Sequence, residues 1–313
     1  MKQIYSIGID IGGTNTDIGL VNGNGTILSR SNLKTSQYSD PQVYVDDIVC
    51  EIKKLVKNLN TENITGVGIG APAANYYTGS IENATNLNMK GIIPLRSMIQ
   101  SQFPYPVVVT NDANAATYGE MVYGGAKGMS HFMMFTLGTG VGSGIVIDGK
   151  LVYGCDGLAG EMGHAILIPE GRLCGCGNRG CLEKYASSSG IVSNCLELMP
   201  SFPDSIIASF PYNEMTGKTI ADAAKLGDPL AIATYERTGY LLGIALANAV
   251  TFSSPEAIFL MGGPIQAGDV FLDPIKRSFL KHKLFIYTRE IPILLSSLSE
   301  NDVAILGAAA LTR

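Results

Sequence analysis

The chain has 313 residues, of which 46% are hydrophobic and 16% are charged, and its formal net charge is −5. The composition is typical of a globular protein, the length predicts two domains, and the charge argues against binding to nucleic acid or to an anionic membrane surface. No apolar run has the length of a membrane span and the first residues lack a signal-peptide pattern, so we expect a cytoplasmic protein.

The first third of the chain predicts one α/β layer. The alternating, β-branched segment from Ile4 to Ile11 is typical of a strand, and it runs into the turn Gly12-Gly13-Thr14-Asn15. From Pro41, apolar residues recur at helical spacing as far as Leu59, which predicts a helix with one buried stripe. The remaining elements of this layer are strands at 17–21, 26–31, 64–70 and 107–110 and a helix after Asn111.

A similar order of elements then repeats. A predicted strand at 131–136 ends in the glycine-rich run 138–144, which leads into a strand at 145–147. A strand, a glycine turn and a second strand therefore occur twice, which indicates a weak internal repeat whose halves offer glycine turns to the same ligand. The rest of the chain is predicted as helices at 182–198, 220–226, 229–250, 269–282 and 302–311 and strands at 257–261 and 291–295.

Both glycine turns are candidate phosphate sites, because glycines let backbone N–H groups converge on an anion. In the first turn Thr14 adds a hydroxyl, and Asp10 is a candidate carboxylate for Mg²⁺. A plain hairpin turn, with an aspartate bonded to its own backbone, is the alternative. The second turn lacks the Gly-Lys-Ser/Thr of a Walker A loop, and it leads into a strand where a Rossmann fingerprint leads into a helix.

Polar residues follow the other strands of the first layer. Asp112 is either a helix N-cap or a general base that accepts a hydroxyl proton, and Asn111 offers an amide to a hydroxyl. Asn83, Asn86 and Asn88 form a second cluster, which is either a set of sugar-binding amides or a polar loop.

One histidine and three cysteines fall in the spacing H-x9-C-x-C-x4-C between residues 164 and 181. Three cysteines and a histidine satisfy the tetrahedron of a structural zinc, and the interleaved glycines let the loop fold back sharply. A disulfide is disfavoured because nothing else in the chain is typical of a secreted protein, and an iron–sulfur cluster usually takes four cysteines. The spacing predicts zinc ligands at His164, Cys174, Cys176 and Cys181. We expect the other three cysteines, Cys50, Cys155 and Cys195, to be reduced core thiols.

Together these motifs resemble the ROK family of sugar kinases and repressors, within the actin-like ATPase superfamily. Asp10-Ile-Gly-Gly-Thr14 is similar to the family's first phosphate motif, Leu137–Gly142 to the second, and Gly262-Gly263 to the adenosine motif. The segment from Gly160 to Glu183 is similar to the zinc signature, which is the most specific of these motifs. The resemblance covers essentially the whole chain.

The resemblance implies an α/β fold with two actin-like (ribonuclease H-like) α/β domains flanking a cleft, and a zinc-binding loop. We expect a small domain at 1–112, joined by the C-terminal helix 302–313, and a large domain at 113–301 with the zinc loop at 164–181.

The resemblance further implies ATP-dependent phosphorylation of a hexose at its primary hydroxyl, with Mg²⁺, a structural Zn²⁺ and Asp112 as the general base. The implied sugar contacts are Asn86, Asn111, Asp112, Glu161, His164 and Glu183. The implied nucleotide contacts are Asp10, Gly12, Gly13, Thr14, Asn15, Gly138, Thr139, Gly140, Gly142, Gly262 and Gly263.

The identity of the sugar is less well defined. Gly70-Ala-Pro72 with the following Asn75-Tyr-Tyr-Thr-Gly resembles the bacterial glucokinases of the family most. The family often has Gly at the position of Ala73 and Trp at that of Met89, both near the expected sugar loop. Fructose, N-acetylmannosamine, N-acetylglucosamine and allose stay open. A sugar-responsive repressor is less favoured, because such relatives carry an N-terminal helix-turn-helix domain and only nine residues precede Asp10. A homodimer is the general expectation for such a protein.

Overall fold

The computed structural model describes residues 4–313, and its contacts divide them into two compact units. The first unit contains the residues up to Met129 together with Gly144–Ala159 and Ser296–Arg313. The second unit contains Ser130–Ser143 and Gly160–Leu295. The domain boundaries expected from the sequence stay a prediction, and residues 1–3 of the first expected domain lie outside the described residues.

The strands consist of the alternating or continuous apolar runs that fill sheet interiors. They are β1 (Tyr5–Ile11), β2 (Thr16–Asn22), β3 (Ile27–Leu33), β4 (Ile64–Gly70), β5 (Ala74–Asn75), β6 (Ser80–Glu82), β7 (Ile92–Ile93), β8 (Val107–Thr110), β9 (Phe132–Leu137), β10 (Val141–Ile147), β11 (Lys150–Leu151), β12 (Ala257–Met261) and β13 (Ile293–Leu295). Strands β4, β8 and β12 begin and end at the residues that the sequence predicts.

Several helices begin at a proline or a polar cap, as at Asp40 and Asp228, whose carboxylates accept the N–H groups of Gln42 and Ala231. They are α1 (Pro41–Val56), α2 (Leu95–Gln100), α3 (Asp112–Val122), α4 (Glu183–Ala186), α5 (Ser188–Leu198), α6 (Gly217–Lys225), α7 (Pro229–Ser253), α8 (Asp269–His282) and α9 (Val303–Ala310). None of the helices within residues 4–313 combines the length and the apolar character needed to cross a membrane.

The first sheet aligns the ends of the strands that carry candidate site residues. Its order is β3-β2-β1-β4-β8, in which β1, β4 and β8 are parallel. Asp10 is paired with Gly70, and Gly70 with Thr110, so the carboxyl ends of these three strands meet at one edge. One apolar core is formed by these strands and α1, with Ile48 and Ile52 fully buried.

The second sheet repeats this plan, because its order is β11-β10-β9-β12-β13. Strand β12 pairs in parallel with β9 and with β13, as β4 does with β1 and β8. The internal repeat expected from the two glycine turns is therefore confirmed at the level of sheet order. Strand β10 belongs to the second unit as far as Ser143 and to the first unit from Gly144 onwards.

The last helix, α9, lies very close to the first sheet. A Cβ atom at Gly8 would meet the carbonyl oxygen of Ile305, and one at Gly68 would meet another carbonyl of α9. Within α9, Gly307 has no room for a Cβ beside the carbonyl of Ala115 in α3. Glycine at these three positions lets main chain pack directly on main chain.

Three expectations from the sequence are wrong. The predicted helix 182–198 is two helices, because Ser187 is extended and its hydroxyl accepts the N–H of Gly190 to cap α5. The strand expected from Ile145 begins at Val141, inside the glycine run. All six cysteines are unpaired, but of the three expected in the core only Cys195 is buried, while Cys50 and Cys155 are exposed.

Candidate active site

The first glycine turn, Gly12 to Asn15, joins β1 to β2 and contacts the loop at residues 83–88, called the asparagine loop below. The N–H of Gly12 donates to the carbonyl of Asn15 at 2.9 Å. A Cβ atom at Gly13 would lie 2.7 Å from the carbonyl oxygen of Asn86, so only glycine fits without a shift of the backbone. Thr14 and Asn15 are exposed.

Asp10 stands at the shared edge of the parallel strands, in an environment that favours a cation. Burial, followed by the negative charges of Asp112 and Asp17, raises the pKa of the Asp10 carboxyl to about 7. A bound cation would offset this repulsion. One carboxylate together with substrate phosphates is a ligand set that Mg²⁺ prefers, so Asp10 fits the ion implied by the family resemblance.

Asn111 and Asp112 have different positions at the start of α3. Asn111 is the N-cap of α3, and its Oδ1 accepts the N–H of Asn114 at 2.7 Å. Asp112 is the exposed first residue of the helix, and its Oδ1 accepts the N–H of Ala113 at 2.8 Å. The alternative in which Asp112 is the N-cap is therefore wrong. Since the Asn111 oxygen is engaged by the cap, its Nδ2 is the group that can donate to a ligand.

The three asparagines after β6 have different positions. Asn83 has a φ of 55°, which is a turn conformation that asparagine tolerates. The Nδ2 of Asn88 donates to the carbonyl of Ser36 at 2.6 Å and so holds the loop in place. Asn86 is exposed and lies beside the first glycine turn, so it is the member of the group best placed to contact a ligand.

The second glycine turn, Gly138 to Gly140, joins β9 to β10 in the second unit. The N–H of Gly138 donates to the carbonyl of Gly140 at 2.9 Å, and the N–H of Ser188 donates to the carbonyl of Gly138 at 2.8 Å. The Oε2 of Glu183 accepts the N–H of Val141 at 3.2 Å. A Cβ atom at Gly140 would lie 2.5 Å from the same oxygen, so the absence of a side chain at this position leaves room for the carboxylate.

The other glycines of the expected nucleotide site have different local structures. Thr139 is exposed at the tip of the turn, whereas Gly142 is a strand residue of β10. Gly262 has a φ of 114°, and a Cβ there would meet the carbonyl of Leu137 at the end of β9. Gly263, by contrast, begins a short 3-10 helix and has open space where a Cβ would lie.

The four predicted zinc ligands come together. One ligand atom from each of His164, Cys174, Cys176 and Cys181 lies within 4.8 Å of the others. The Sγ atoms of Cys176 and Cys181 are 3.6 Å apart, and the Sγ of Cys174 is 3.6 Å from the Nδ1 of His164. Bonds of about 2.3 Å from a tetrahedral zinc place sulfur atoms roughly 3.8 Å apart, so the donor set fits zinc.

The pKa values of two thiols of the cluster are shifted in opposite directions. Burial raises the pKa of the Cys181 thiol to about 12, whereas a hydrogen bond from the backbone of Asn178 lowers the pKa of Cys176. The loop is closed by the N–H of Cys174, which donates to the carbonyl of Asn178 at 2.8 Å. Because zinc binds thiolates, loading of this site would release the Cys181 proton.

Glu161 precedes a short 3-10 helix, Met162–His164, and His164 is its last residue. Glu161 is exposed and His164 is half-buried. Because the Nδ1 of His164 faces the sulfur atoms, its Nε2 is the nitrogen available to a ligand. Gly163 has no room for a Cβ beside the carbonyl of Val141, so this turn packs directly on the start of β10.

The chain matches the family model of the ROK family over residues 6–313. The chain belongs to the ROK family. It is 34% identical to a glucokinase of Streptomyces coelicolor, over 98% of the chain and 97% of that protein. It is 30% identical to a xylose repressor of Caldicellulosiruptor bescii, over 99% of the chain and 78% of that protein. The crystal structure of a ROK family glucokinase from Streptomyces griseus, in complex with glucose and AMPPNP, has a TM-score of 0.80 and 32% identity and covers 98% of both chains. The likeness confirms the predicted fold class.

This ROK protein departs from the family pattern at Ala73 and Met89, and the structure shows the environment of both residues. Ala73 is exposed and has a φ of 50°, the left-handed region that glycine adopts most easily. Met89 is 1% exposed and packs in the core of the first unit. The residue at 89 therefore fills the core behind the asparagine loop.

Arg172 is a residue of this ROK protein that sequence reasoning missed. Its guanidinium donates to the carbonyl of Lys184, to the side chain of Asn194 and to Glu197 at 2.6–2.7 Å, and it lies 4.5 Å from the ring centre of Tyr185. These contacts tie the base of the zinc loop to α4 and α5. The only signal in the sequence was its position two residues before Cys174.

Proposed function

We propose that the chain is an ATP-dependent hexose kinase that transfers the γ-phosphoryl group to the primary hydroxyl of glucose. The observation that carries the proposal is the exposed carboxylate of Asp112, held at the first position of α3 beside Asp10. A carboxylate held in this way is the group that phosphoryl transfer to a hydroxyl requires as a proton acceptor.

In the first unit, Asp112 accepts the proton of the sugar's primary hydroxyl as the phosphoryl group arrives. One of its oxygens already accepts the N–H of Ala113, which orients the carboxylate and leaves Oδ2 for the proton. Asn111 donates a hydrogen bond from Nδ2 to a sugar oxygen, and Asn86 binds a further hydroxyl. The N–H groups of the first glycine turn bind phosphate oxygens.

In the second unit, Glu161 and Glu183 accept hydrogen bonds from sugar hydroxyls, and His164 contacts the sugar through Nε2. The N–H groups of the second glycine turn, from Gly138 to Gly140, bind phosphate oxygens. Gly262 and Gly263 let the backbone approach the adenosine part of ATP.

Two metal ions belong to this proposal. Asp10 would hold Mg²⁺, which when bound supplies positive charge to the phosphate oxygens. His164, Cys174, Cys176 and Cys181 would hold a structural Zn²⁺. Four protein ligands complete a tetrahedron, so this zinc has no open position and serves to hold the loop.

The choice of glucose rests on likeness to proteins named glucokinase, at 32–34% identity over the whole chain. Fructose, allose, N-acetylmannosamine and N-acetylglucosamine are the alternative substrates, because sugars that differ in one group are separated by pocket geometry. The likeness to xylose repressors motivates a second outcome, in which sugar binds without being phosphorylated.

The test is a coupled ADP-release assay with ATP, Mg²⁺ and each of these sugars, combined with calorimetric titration of the same sugars. We expect the highest kcat/KM with glucose, and identification of the product as glucose 6-phosphate. Higher kcat/KM with another sugar would reassign the substrate. Sugar binding without ADP release would contradict the kinase and support a sensor.

A further inference from the structure

Glu161 occupies the centre of an unusually tight turn. Its φ and ψ are −76° and 47°, and the N–H of Met162 donates to the carbonyl of Gly160 at 2.8 Å. These angles and this bond between residues two apart define an inverse γ-turn. The direction of the Glu161 side chain is therefore set by a three-residue turn closed by one short-range bond.

The hydroxyl of Ser143 braces both ends of this turn. Its Oγ accepts the N–H of Met162 at 3.2 Å and donates to the carbonyl of Gly160. One hydroxyl thus bonds to both backbone groups that close the turn around Glu161. Ser143 is only 2% exposed, so the hydroxyl is engaged as donor and acceptor inside the protein and is shielded from solvent.

Ser143 also links the turn to the second glycine turn along one strand. It lies in β10, two residues after Val141, whose N–H is bonded to Glu183 and whose carbonyl packs against Gly163. The first residues of β10 therefore contact the backbone on both sides of Glu161 and the carboxylate of Glu183. The Ser143 hydroxyl bonds only to the turn around Glu161, whereas Glu183 is held by the N–H of Val141.

We propose that Ser143 is a positioning residue for Glu161, which it aims at the sugar by holding residues 160 and 162. The inference rests on the proposed function, in which Glu161 accepts a hydrogen bond from a sugar hydroxyl. Ser143 is buried, and its hydroxyl bonds to the backbone of residues 160 and 162, so the proposed function gives it no ligand to bind. Loss of its hydroxyl removes the brace but leaves the carboxylate, so sugar binding is weakened through Glu161 alone.

The test compares Ser143→Ala with wild type in steady-state kinetics with D-glucose and ATP. We expect the KM for glucose to rise about tenfold, because a buried hydroxyl with two partners is lost. The KM for ATP is expected to stay within about twofold, since the glycine turn keeps its own bonds. Zinc content should equal that of the wild type.

Ser278→Ala is the matched control. Ser278 is a buried serine of the same unit, 4% exposed, whose hydroxyl donates to the carbonyl of Tyr240 at 2.6 Å. This substitution removes a comparable bond away from the site, so it should lower the thermal midpoint without changing either KM. An equal rise of the glucose KM in this control would show that Ser143 affects sugar binding only through the stability of the fold, which would overturn the inference.

A double-mutant cycle separates action through Glu161 from an independent effect. In a Glu161→Ala background, Ser143→Ala is expected to change the glucose KM by less than about twofold, because the group that it positions is gone. Two effects that multiply would overturn the inference, as would an unchanged glucose KM in Ser143→Ala. If that variant does not fold, Ser143→Cys, whose thiol is a weak donor and acceptor, should show the same rise.

The wild-type measurement distinguishes failure of the inference from failure of the proposed function. If the wild type does not phosphorylate glucose, both are overturned. If the wild type turns over and Ser143→Ala has its kinetic constants, only the role of Ser143 is lost.

Discussion

The two glycine turns occupy equivalent places in sheets of the same order, yet each is supported by a different kind of chemistry. In the first unit, Gly13 lies against the backbone carbonyl of Asn86, and Asn111 caps the helix that begins with Asp112. In the second unit, Gly140 lies against the carboxylate of Glu183, whose other oxygen is 3.8 Å from the Sγ of Cys174.

The first glycine turn is thus supported by main-chain contacts, and the second by a side chain beside a cluster of metal-ligand residues. Backbone and cap contacts form whenever the sheet and helix form, so the surroundings of the first turn need only the folded protein. The surroundings of the second turn depend on a loop whose sulfur ligands must be drawn together. The first three predictions below test this difference and the fourth concerns stability; they are given in order of decreasing effect.

The largest effect is expected from Asp112→Asn in the first unit. The amide keeps the shape of the carboxylate but cannot accept a proton, so kcat should fall by about 10²–10⁴ while glucose affinity changes little. The measurement combines coupled ADP release with calorimetry. Asp269→Asn is the control, because Asp269 is an exposed aspartate at the first position of α8. Turnover of Asp112→Asn near that of this control would remove Asp112 from the mechanism.

Removal of zinc should disturb the residues around the second glycine turn and spare those around the first. Cys176→Ser, or treatment with a strong chelator, is expected to weaken glucose binding at least about tenfold while ATP binding survives. Cys50→Ser, an exposed cysteine of α1, is the control. Elemental analysis of the wild type should find about one zinc per chain. Full glucose affinity in zinc-free Cys176→Ser would contradict the proposed role of the metal.

The two glycine turns should respond unequally to the same substitution. Gly13→Ala places a Cβ 2.7 Å from a backbone oxygen that cannot rotate away, so kcat/KM should fall about tenfold to a hundredfold. Gly140→Ala meets the end of a flexible carboxylate, so the fall should be smaller and appear mainly in the glucose KM. Gly217→Ala, at the open start of α6, is the control. Equal losses at the two turns would contradict the comparison.

The smallest effect concerns stability. Ala73→Gly should remove the strain of a left-handed alanine, which is roughly 1–2 kcal/mol. The greater conformational entropy of the unfolded chain offsets roughly 0.4–1 kcal/mol of this gain. The net expectation is a stabilisation of about 0.5–1 kcal/mol in urea unfolding. Ala74→Gly, in the neighbouring strand β5, should destabilise because Ala74 is buried and extended. A destabilised Ala73→Gly protein would show that the conformation at 73 is unstrained.

Strong local patterns predicted most of the fold and the cluster of candidate metal ligands. Strands β4, β8 and β12 and helix α8 begin and end where apolar periodicity and caps indicated, and the Cys/His spacing identified residues that the structure brings together. These features succeed because a strand, a helix or a metal loop is specified by residues close in sequence.

The sequence failed where the outcome depends on contacts distant along the chain. Serine is neutral within a helical pattern, so nothing local reveals that Ser187 ends α4 and caps α5. The burial of Met89 depends on which side of its loop faces the core. The bonds of Ser143 and Arg172 join segments 12 to 25 residues apart, and no periodicity records such pairs.

The close packing of α9 on the first sheet bears on how the protein is made. Gly8 and Gly68 are translated early, but the helix backbone that fits against them, at 303–310, is translated only after the whole of the second unit. On the ribosome the second unit can therefore fold first, while one face of strands β1 and β4 stays uncovered until α9 has been translated. Such a nascent chain exposes apolar strands for most of its synthesis, and during that time aggregation competes with folding.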